Sequence, residues 1–252
     1  MPDHVFRGIP LRGLAVSEGV RSRIKAMGEG STKFSSAQRG SDDRDPRGGT
    51  SPSAAAFYEL VTAYSLCADP VEREQIDADV WSRYGVTGIA MITDMEGFST
   101  TTRSLGICHF LGMIERARRV VAPVVAANQG VLLKCEADNC YAFFHTTDDA
   151  LRASIDLAAG IAEINGGHKG IGEIQVSTGI DYGRLLLVGE HDFYGDPVNT
   201  ASKLGEDLAG GGETLVTNRA LDQTEGLPGA CSEQRTTRIS GIDIQYKRFG
   251  AA

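Results

Sequence analysis

Residues 131–144, VLLKCEADNCYAFF, place two apolar runs on either side of the polar turn Ala137, Asp138, Asn139, which is the pattern of a β-hairpin. That pattern commits the chain to a sheet. A further apolar strand, residues 88–93 of GIAMITD, ends in Asp94. Asp94 and Asp138 thus both stand at strand ends, where paired carboxylates are hard oxygen ligands for divalent cations. Two such cations about 3.5–4 Å apart clamp the attacking and the leaving oxygen of a phosphoryl transfer. Nucleotide chemistry is the leading expectation.

The remaining pattern sets these strands in an α+β order. Residues 27–53 are mostly Gly, Ser, Asp and Arg, and residues 1–26 hold a few apolar side chains without a period, so 1–53 reads as a flexible N-terminal segment and linker. Residues 54–84 read as helical, interrupted at Pro70, and 85–252 as the folded catalytic unit. Within it a helix is expected over 102–127, its stripe being Leu105, Phe110, Leu111, Ile114, Ala117, Val121 and Val124, with Pro123 kinking the last turn. After the hairpin come a helix over 150–165, capped by Asp148 and Asp149 and closed by Gly166 and Gly167, and two strands, 173–180 and 184–188. Asp196 and Pro197 open another helix. A strand over 213–216, a short helix and a strand over 242–249 end the chain. This order predicts α+β architecture: a mainly antiparallel sheet with helices on one face.

Of 252 residues, 41% are hydrophobic, which is enough for a sizeable core. The net charge of -8 and the pI near 5.2 speak against nucleic acid or an anionic membrane as a partner, because both want a basic face. No run of about 18 apolar residues is present and the N-terminus lacks an apolar signal core, so a cytoplasmic protein without a membrane partner is expected. The five cysteines, Cys67, Cys108, Cys135, Cys140 and Cys231, form an odd set without a CxxC, three of them in apolar runs typical of buried free thiols, so a reducing compartment is expected.

Two further clusters carry chemistry. Period-two alternation in the first hairpin strand sets Val131, Leu133 and Cys135 on one face and Leu132, Lys134 and Glu136 on the other. In HDFYGDPVNTASKLGED, helical geometry puts Asn199 and Lys203 on one face, with Asp192 in the loop upstream. Taken singly, each has a plain reading: an edge lysine, an Asp-Asn turn, a solvated helix face.

Together, from about residue 87 to 213, they resemble the catalytic domain of the class III adenylyl and guanylyl cyclases. That family's strand-ending Asp, followed by a hydrophobic residue, any residue, Gly and Phe, is matched by Asp94, Met95, Glu96, Gly97 and Phe98. The purine-selecting Lys four residues before the second metal Asp is matched by Lys134 and Asp138. The base-selecting Asp, the Gly, the ribose-orienting Asn and the transition-state cation are matched by Asp192, Gly195, Asn199 and Lys203. Two positions depart from the pattern: Ala137 replaces a glycine, and Lys203 replaces an arginine, giving a point charge in place of a forked donor.

The resemblance implies a ferredoxin-like cyclase domain converting ATP to 3′,5′-cyclic AMP and pyrophosphate, with Mg²⁺ or Mn²⁺, two ions per site, held by Asp94 and Asp138. It further implies that backbone amides of Met95, Glu96, Gly97, Phe98 and Ser99 cradle the outer phosphates, that Asn199 orients the ribose, and that Lys203 is the transition-state cation. Lys134 donating to N1 and Asp192 accepting from N6 would favour adenine over guanine. The family's sites lie between two subunits, the metal carboxylates and base lysine associated with one and the Asn and cation helix with the other, so a homodimer is implied. A cyclase for another nucleoside triphosphate and a non-catalytic nucleotide-binding signalling domain are the alternatives. Glu96, Glu136 and Arg238 are weaker candidates for contacts around the site.

Overall fold

The computed structural model describes residues 53–167, 172–189, 191–226, 229–239 and 241–250. The expected linker over 1–53 lies outside these residues except for Ser53. Two helices come first, α1 (Ala54–Leu66) and α2 (Pro70–Tyr84). Each has a side-chain N-cap: Ser53 Oγ accepts from Ala56 N and Asp69 Oδ1 from Val71 N, with Pro70 in the first turn, where its missing N–H costs nothing. Phe57, Val80 and Tyr84 bury themselves against Leu186 and Val188.

The rest of the chain follows as β1 (Gly85–Met95), α3 (Phe98–Leu105), α4 (Ile107–Ala127), the hairpin β2 (Val131–Glu136) and β3 (Asn139–Phe144), and α5 (Thr147–Gly167). Then come β4 (Val176–Val188), β5 (Asp192–Tyr194), α6 (Asp196–Ser202) with a π-helical turn over Lys203–Leu208, β6 (Thr214–Thr217), α7 (Asn218–Leu221), β7 (Ala230–Cys231), β8 (Arg235–Ile239) and β9 (Ile242–Gly250). The strands make one sheet in the order β2-β3-β1-β4-β6-β9-β7, with β5 beside β4 and β8 beside β9. The β4–β6 pair is parallel and the other pairs are antiparallel.

Several expectations change here. The helix expected over 102–127 is two helices, because Gly106, at φ 84°, breaks the ladder; Leu105 and Leu111 are exposed, and α4 continues through Pro123 to Ala127. The expected second hairpin, 173–180 and 184–188, is the single strand β4, whose central Asp181 is fully buried. The short strands β5, β7 and β8 went unrecognised in the pattern. Finally, both faces are covered. Helices α4 and α5 pack on Ile89, Met91, Phe144 and Ile180, whereas α6 lies on the opposite face with Ala90, Ile92, Leu185 and Phe193.

The seating of α6 is unusually close. An added Cβ at Gly179 would stand 2.6 Å from the Gly205 nitrogen and closer still to the Ala201 carbonyl. Only glycine permits this backbone-on-backbone contact. Beside it, the Arg219 guanidinium from α7 binds buried Asp181 through both carboxylate oxygens and reaches Asp196 at the start of α6, 2.6 Å away. Burial pushes the Asp181 carboxyl up, and Arg219 and Thr217 oppose it.

Removing Arg219 would strand that carboxylate. Arg219→Met is expected to cost about 3–5 kcal/mol, read as a lower urea midpoint at pH 8. The loss should shrink at pH 5, because Asp181 can then take up a proton; a penalty independent of pH would show that the carboxylate does not carry it.

Candidate active site

Strand β1 delivers Asp94 to the face covered by α6. Its residues alternate, Ile89 and Met91 lying in one core cluster and Ala90 and Ile92 in the other, so Asp94 shares the side of Ile92. Asp138 occupies the β2–β3 turn, which Ala137 enters at φ 48°, a left-handed conformation that costs an L-residue with a Cβ. From α4, Arg118 Nη2 donates to the Ala137 carbonyl at 2.6 Å and holds the turn in place.

The two aspartates meet electrostatically. Burial, then the charge of Asp138, then Glu206 and Asp207 raise the Asp94 carboxyl to about 6, while the Met95 amide pulls it down. Glu206 is also pushed up, first by its own burial and then by Asp207. Asn139 Nδ2 donates to Glu206 Oε1 at 3.1 Å, tying the hairpin turn to the π-helical segment. Glu206 is a site residue that the sequence reading missed. Its signal, three residues beyond Lys203, appears only once a wider π turn sets it facing the sheet.

Lys134 sits where a register shift falls between Leu132 and Lys134. The expected alternation fails at this bulge: Val131 and Leu133 share a face, and after the extra residue Lys134 lies over the Tyr141 ring, 4.9 Å from its centroid, while Cys135 joins the other core. The slip brings Lys134 Nζ to Asp192 Oδ1 at 3.1 Å and Glu136 Oε1 at 3.4 Å. Burial lowers the ammonium's affinity for its proton, but Asp192 and Glu136 outweigh it and the net shift is upward. Asp192 lies in β5 rather than in a loop, and it pairs with Lys134 within one chain.

Asn199 is exposed on α6, and Lys203 follows one turn later, its Nζ paired with Asp207 Oδ2 at 2.8 Å. Among the expected cradle amides, Met95 N–H bonds the Asp94 carboxylate and Glu96 N donates to the Gln175 carbonyl at 3.0 Å. The Glu96 side chain accepts from Gly211 N at 3.0 Å, away from the pair. Gly97, at φ 93°, turns the backbone into α3, where Phe98 and Ser99 begin the helix. Arg238 is held at the β8–β9 hairpin by the Gly241 carbonyl. The free-thiol expectation is corrected for two residues: Cys135 and Cys140 face each other across β2 and β3 and form a disulfide, while Cys67, Cys108 and Cys231 are free.

Among solved structures, the guanylyl cyclase Cya2 matches with a TM-score of 0.59 and 18% identity, over 67% of this chain and 94% of its own. An adenylate/guanylate cyclase/hydrolase from Silicibacter pomeroyi matches at 0.57 and 20%, over 67% and 98%, and the adenylyl cyclase CyaB from P. aeruginosa at 0.56 and 16%, over 66% and 95%. The fold is that of the class III nucleotidyl cyclase catalytic domain. The uncharacterized proteins Rv2212 of Mycobacterium tuberculosis and Mb2235 of Mycobacterium bovis are each 26% identical over 204 residues, 77% of this chain and 51% of theirs. The chain thus spans about half the length of the curated relatives it matches. No protein-family model matches it.

Within this cyclase fold the residues present suit a divalent cation. A half-buried carboxyl raised to about 6 by its burial and then by a neighbouring carboxylate is relieved by a dication more than by a proton. Among the described residues no group of three or more His, Cys, Asp or Glu side chains converges as a metal cage. A two-carboxylate site leaves the remaining positions to water and to phosphate oxygens, as a nucleotide-bound Mg²⁺ requires. No described helix is long and apolar enough to cross a membrane.

The raised Asp94 value fixes a sign for the metal-free protein. The folded state binds this proton more tightly than the unfolded chain, whose value is near 3.8, so the group's contribution to stability falls as pH rises from about 4 to about 6. In EDTA, Asp94→Asn is expected to raise the melting temperature at pH 8 and to leave it nearly unchanged at pH 4. An equal effect at both pH values would mean that the charge is not the cause.

Proposed function

We propose that this chain is an adenylate cyclase, converting ATP to 3′,5′-cyclic AMP and pyrophosphate at sites shared between two copies of the chain. The observation that carries the reading is the electrostatic contact of Asp94 with Asp138 at the strand ends of a class III cyclase fold. Asp94 and Asp138 would hold Mg²⁺ or Mn²⁺, two ions per site. Those ions, when bound, supply Lewis acidity that acidifies the ribose 3′-hydroxyl and offsets the triphosphate charge.

The chain's own groups do the rest. Asn199 would orient the ribose so that its 3′-oxygen faces the α-phosphorus, which turns a difficult encounter into a positioned one. Lys203 would leave Asp207 to stabilise negative charge growing on the transferring phosphoryl group. Amides of Gly97 to Ser99, at the start of α3, would receive the outer phosphates. Lys134 as donor beside Asp192 as acceptor matches the N1 and N6 edge of adenine; guanine offers a donor and an acceptor in the opposite places. Lys203 is paired with Asp207 beside the carboxylates of its own chain, and its action on the site of a second subunit is what the family resemblance implies. Signal transduction through the cyclic nucleotide, in the cytoplasm, is the matching role.

Purified protein given each of the four ribonucleoside triphosphates, with Mg²⁺ and then Mn²⁺, should release cyclic AMP from ATP as its main product by chromatography. Absence of any cyclic product under all eight conditions would favour the non-catalytic signalling domain. Asp94→Ala and Asp138→Ala should each abolish turnover while the far-ultraviolet circular dichroism stays unchanged; full activity in either would remove the two-carboxylate assignment.

Lys203→Ala should lower kcat by about 10²-fold with a smaller change in KM, and Lys203→Arg should retain or raise activity. Mixing inactive Asp94→Ala and Lys203→Ala proteins should restore activity through one intact site per heterodimer. A mixture shown to exchange subunits that stays inactive would argue against the shared site.

A further inference from the structure

The base-reading pair is itself held by two phenols. Tyr194, at the end of β5, donates its hydroxyl to Asp192 Oδ2 at 2.7 Å. Its own oxygen lies 3.1 Å from the hydroxyl of Tyr58 on α1, 136 residues earlier. A phenol has one proton, and Tyr194 spends it on the carboxylate, so Tyr58 must be the donor in the second bond. The hydrogen bonds therefore run in one direction, from α1 through Tyr194 to Asp192, and Asp192 in turn holds Lys134.

The distribution of donors over Asp192 shows what this achieves. Its Oδ1 already accepts from the Phe193 amide at 2.9 Å and pairs with Lys134 at 3.1 Å. That fills the two lone pairs of Oδ1, whereas Oδ2 takes only the Tyr194 hydroxyl among these contacts. The oxygen left with capacity for an exocyclic amino group is the one that Tyr194 orients. The ring is fixed as well: Phe57 of α1 stacks on Tyr194 at 5.8 Å and 3°, and Phe57 meets the edge of buried Tyr84 at 5.0 Å, next to the start of β1.

We propose that Tyr194 and Tyr58 are positioning residues for purine selection, through which the helical segment preceding the catalytic unit sets the orientation of Asp192 and hence the preference for adenine. This rests on the reading of Lys134 and Asp192 as the pair that meets the base. Without the Tyr194 hydroxyl, the carboxylate is held only at Oδ1, by the Phe193 amide and Lys134, and nothing among these contacts fixes where Oδ2 points. An adenine N6 donor then loses its fixed acceptor. A guanine O6 loses only a repulsion.

The test uses the full chain with Tyr194→Phe, Tyr58→Phe and the double variant; each keeps the ring and removes a hydroxyl. Equilibrium titration with non-hydrolysable ATP and GTP analogues gives the affinity ratio, and initial rates with ATP and GTP give kcat and KM. Both tyrosines are partly exposed, so the effect is moderate: Tyr194→Phe should weaken ATP-analogue binding by about tenfold and GTP-analogue binding by less than about twofold, with KM moving more than kcat. Tyr58→Phe should do the same by about threefold, and the double variant should match Tyr194→Phe alone, because the chain of bonds passes through Tyr194.

An unchanged ATP to GTP ratio in Tyr194→Phe, an equal loss for both nucleotides, or additive effects in the double variant would overturn the proposal while leaving the cyclase reading intact. A protein without turnover that still binds ATP selectively would fail the cyclase reading, and the affinity ratio would still decide this one. If the unmodified protein bound neither analogue, or preferred the GTP analogue, the proposal would fall.

Discussion

The contact on which the site depends is the direct seating of α6 on β1 and β4, where Gly179 and Gly205 let backbone meet backbone. A methyl group at Gly179 would lift the helix away from the sheet, and everything that the helix carries would move with it. Glu206 would leave Asp94 and Asp138, and Asn199 and Lys203 would lose their fixed place on the face of the sheet. The Arg219 bridge between Asp181 and Asp196 secures the other end of the same helix. Two glycines and the arginine on one buried aspartate thus determine the geometry of groups that never touch them.

The site is costly to the fold that presents it. Four carboxylates, from Asp94, Asp138, Glu206 and Asp207, act on one another, and the hairpin turn runs through a left-handed alanine. Strain and like-charge repulsion are thus concentrated in one place. The Arg118 bond to the Ala137 carbonyl and the cross-strand disulfide hold the turn in a conformation that its own sequence does not favour.

Strong local signals were legible in the sequence. Alternation and turn chemistry placed β2 and β3 within a residue and the middle of β1, which starts three residues earlier and ends two later than expected, and Pro70 and Pro197 marked helix starts because proline is tolerated in the first turn. The α+β class with a mainly antiparallel sheet followed from those elements. What failed depended on tertiary partners. The bulge after Leu132 reverses the phase of Lys134, yet nothing in VLLKCE announces an extra residue. Asp181, Tyr182 and Gly183 look like a turn, but half-exposed Arg219 and buried Thr217 satisfy the aspartate and let β4 run straight through. Strand β5 is three residues long and has no period to detect; with it the Tyr194 contact stayed hidden, as did Glu206 behind a π turn.

The length of β4 has a geometric result. Lys134 stands opposite Tyr141, which stands opposite Ile92 and so Gly179, whereas Asp192 stands opposite Val188, nine residues further along β4. In a flat sheet those nine residues alone would separate the two by about 30 Å, yet their side chains touch. The ribbon of β1 and β4 must therefore curl over its own face, and the rung where Gly88 faces Gly183 carries no side chain on either strand to resist that bending. The lysine and the aspartate close the curl like a clasp, so the purine would be read at the seam where one sheet meets itself. A base lodged there would test the curvature of the whole sheet as well as the pattern of its donors and acceptors.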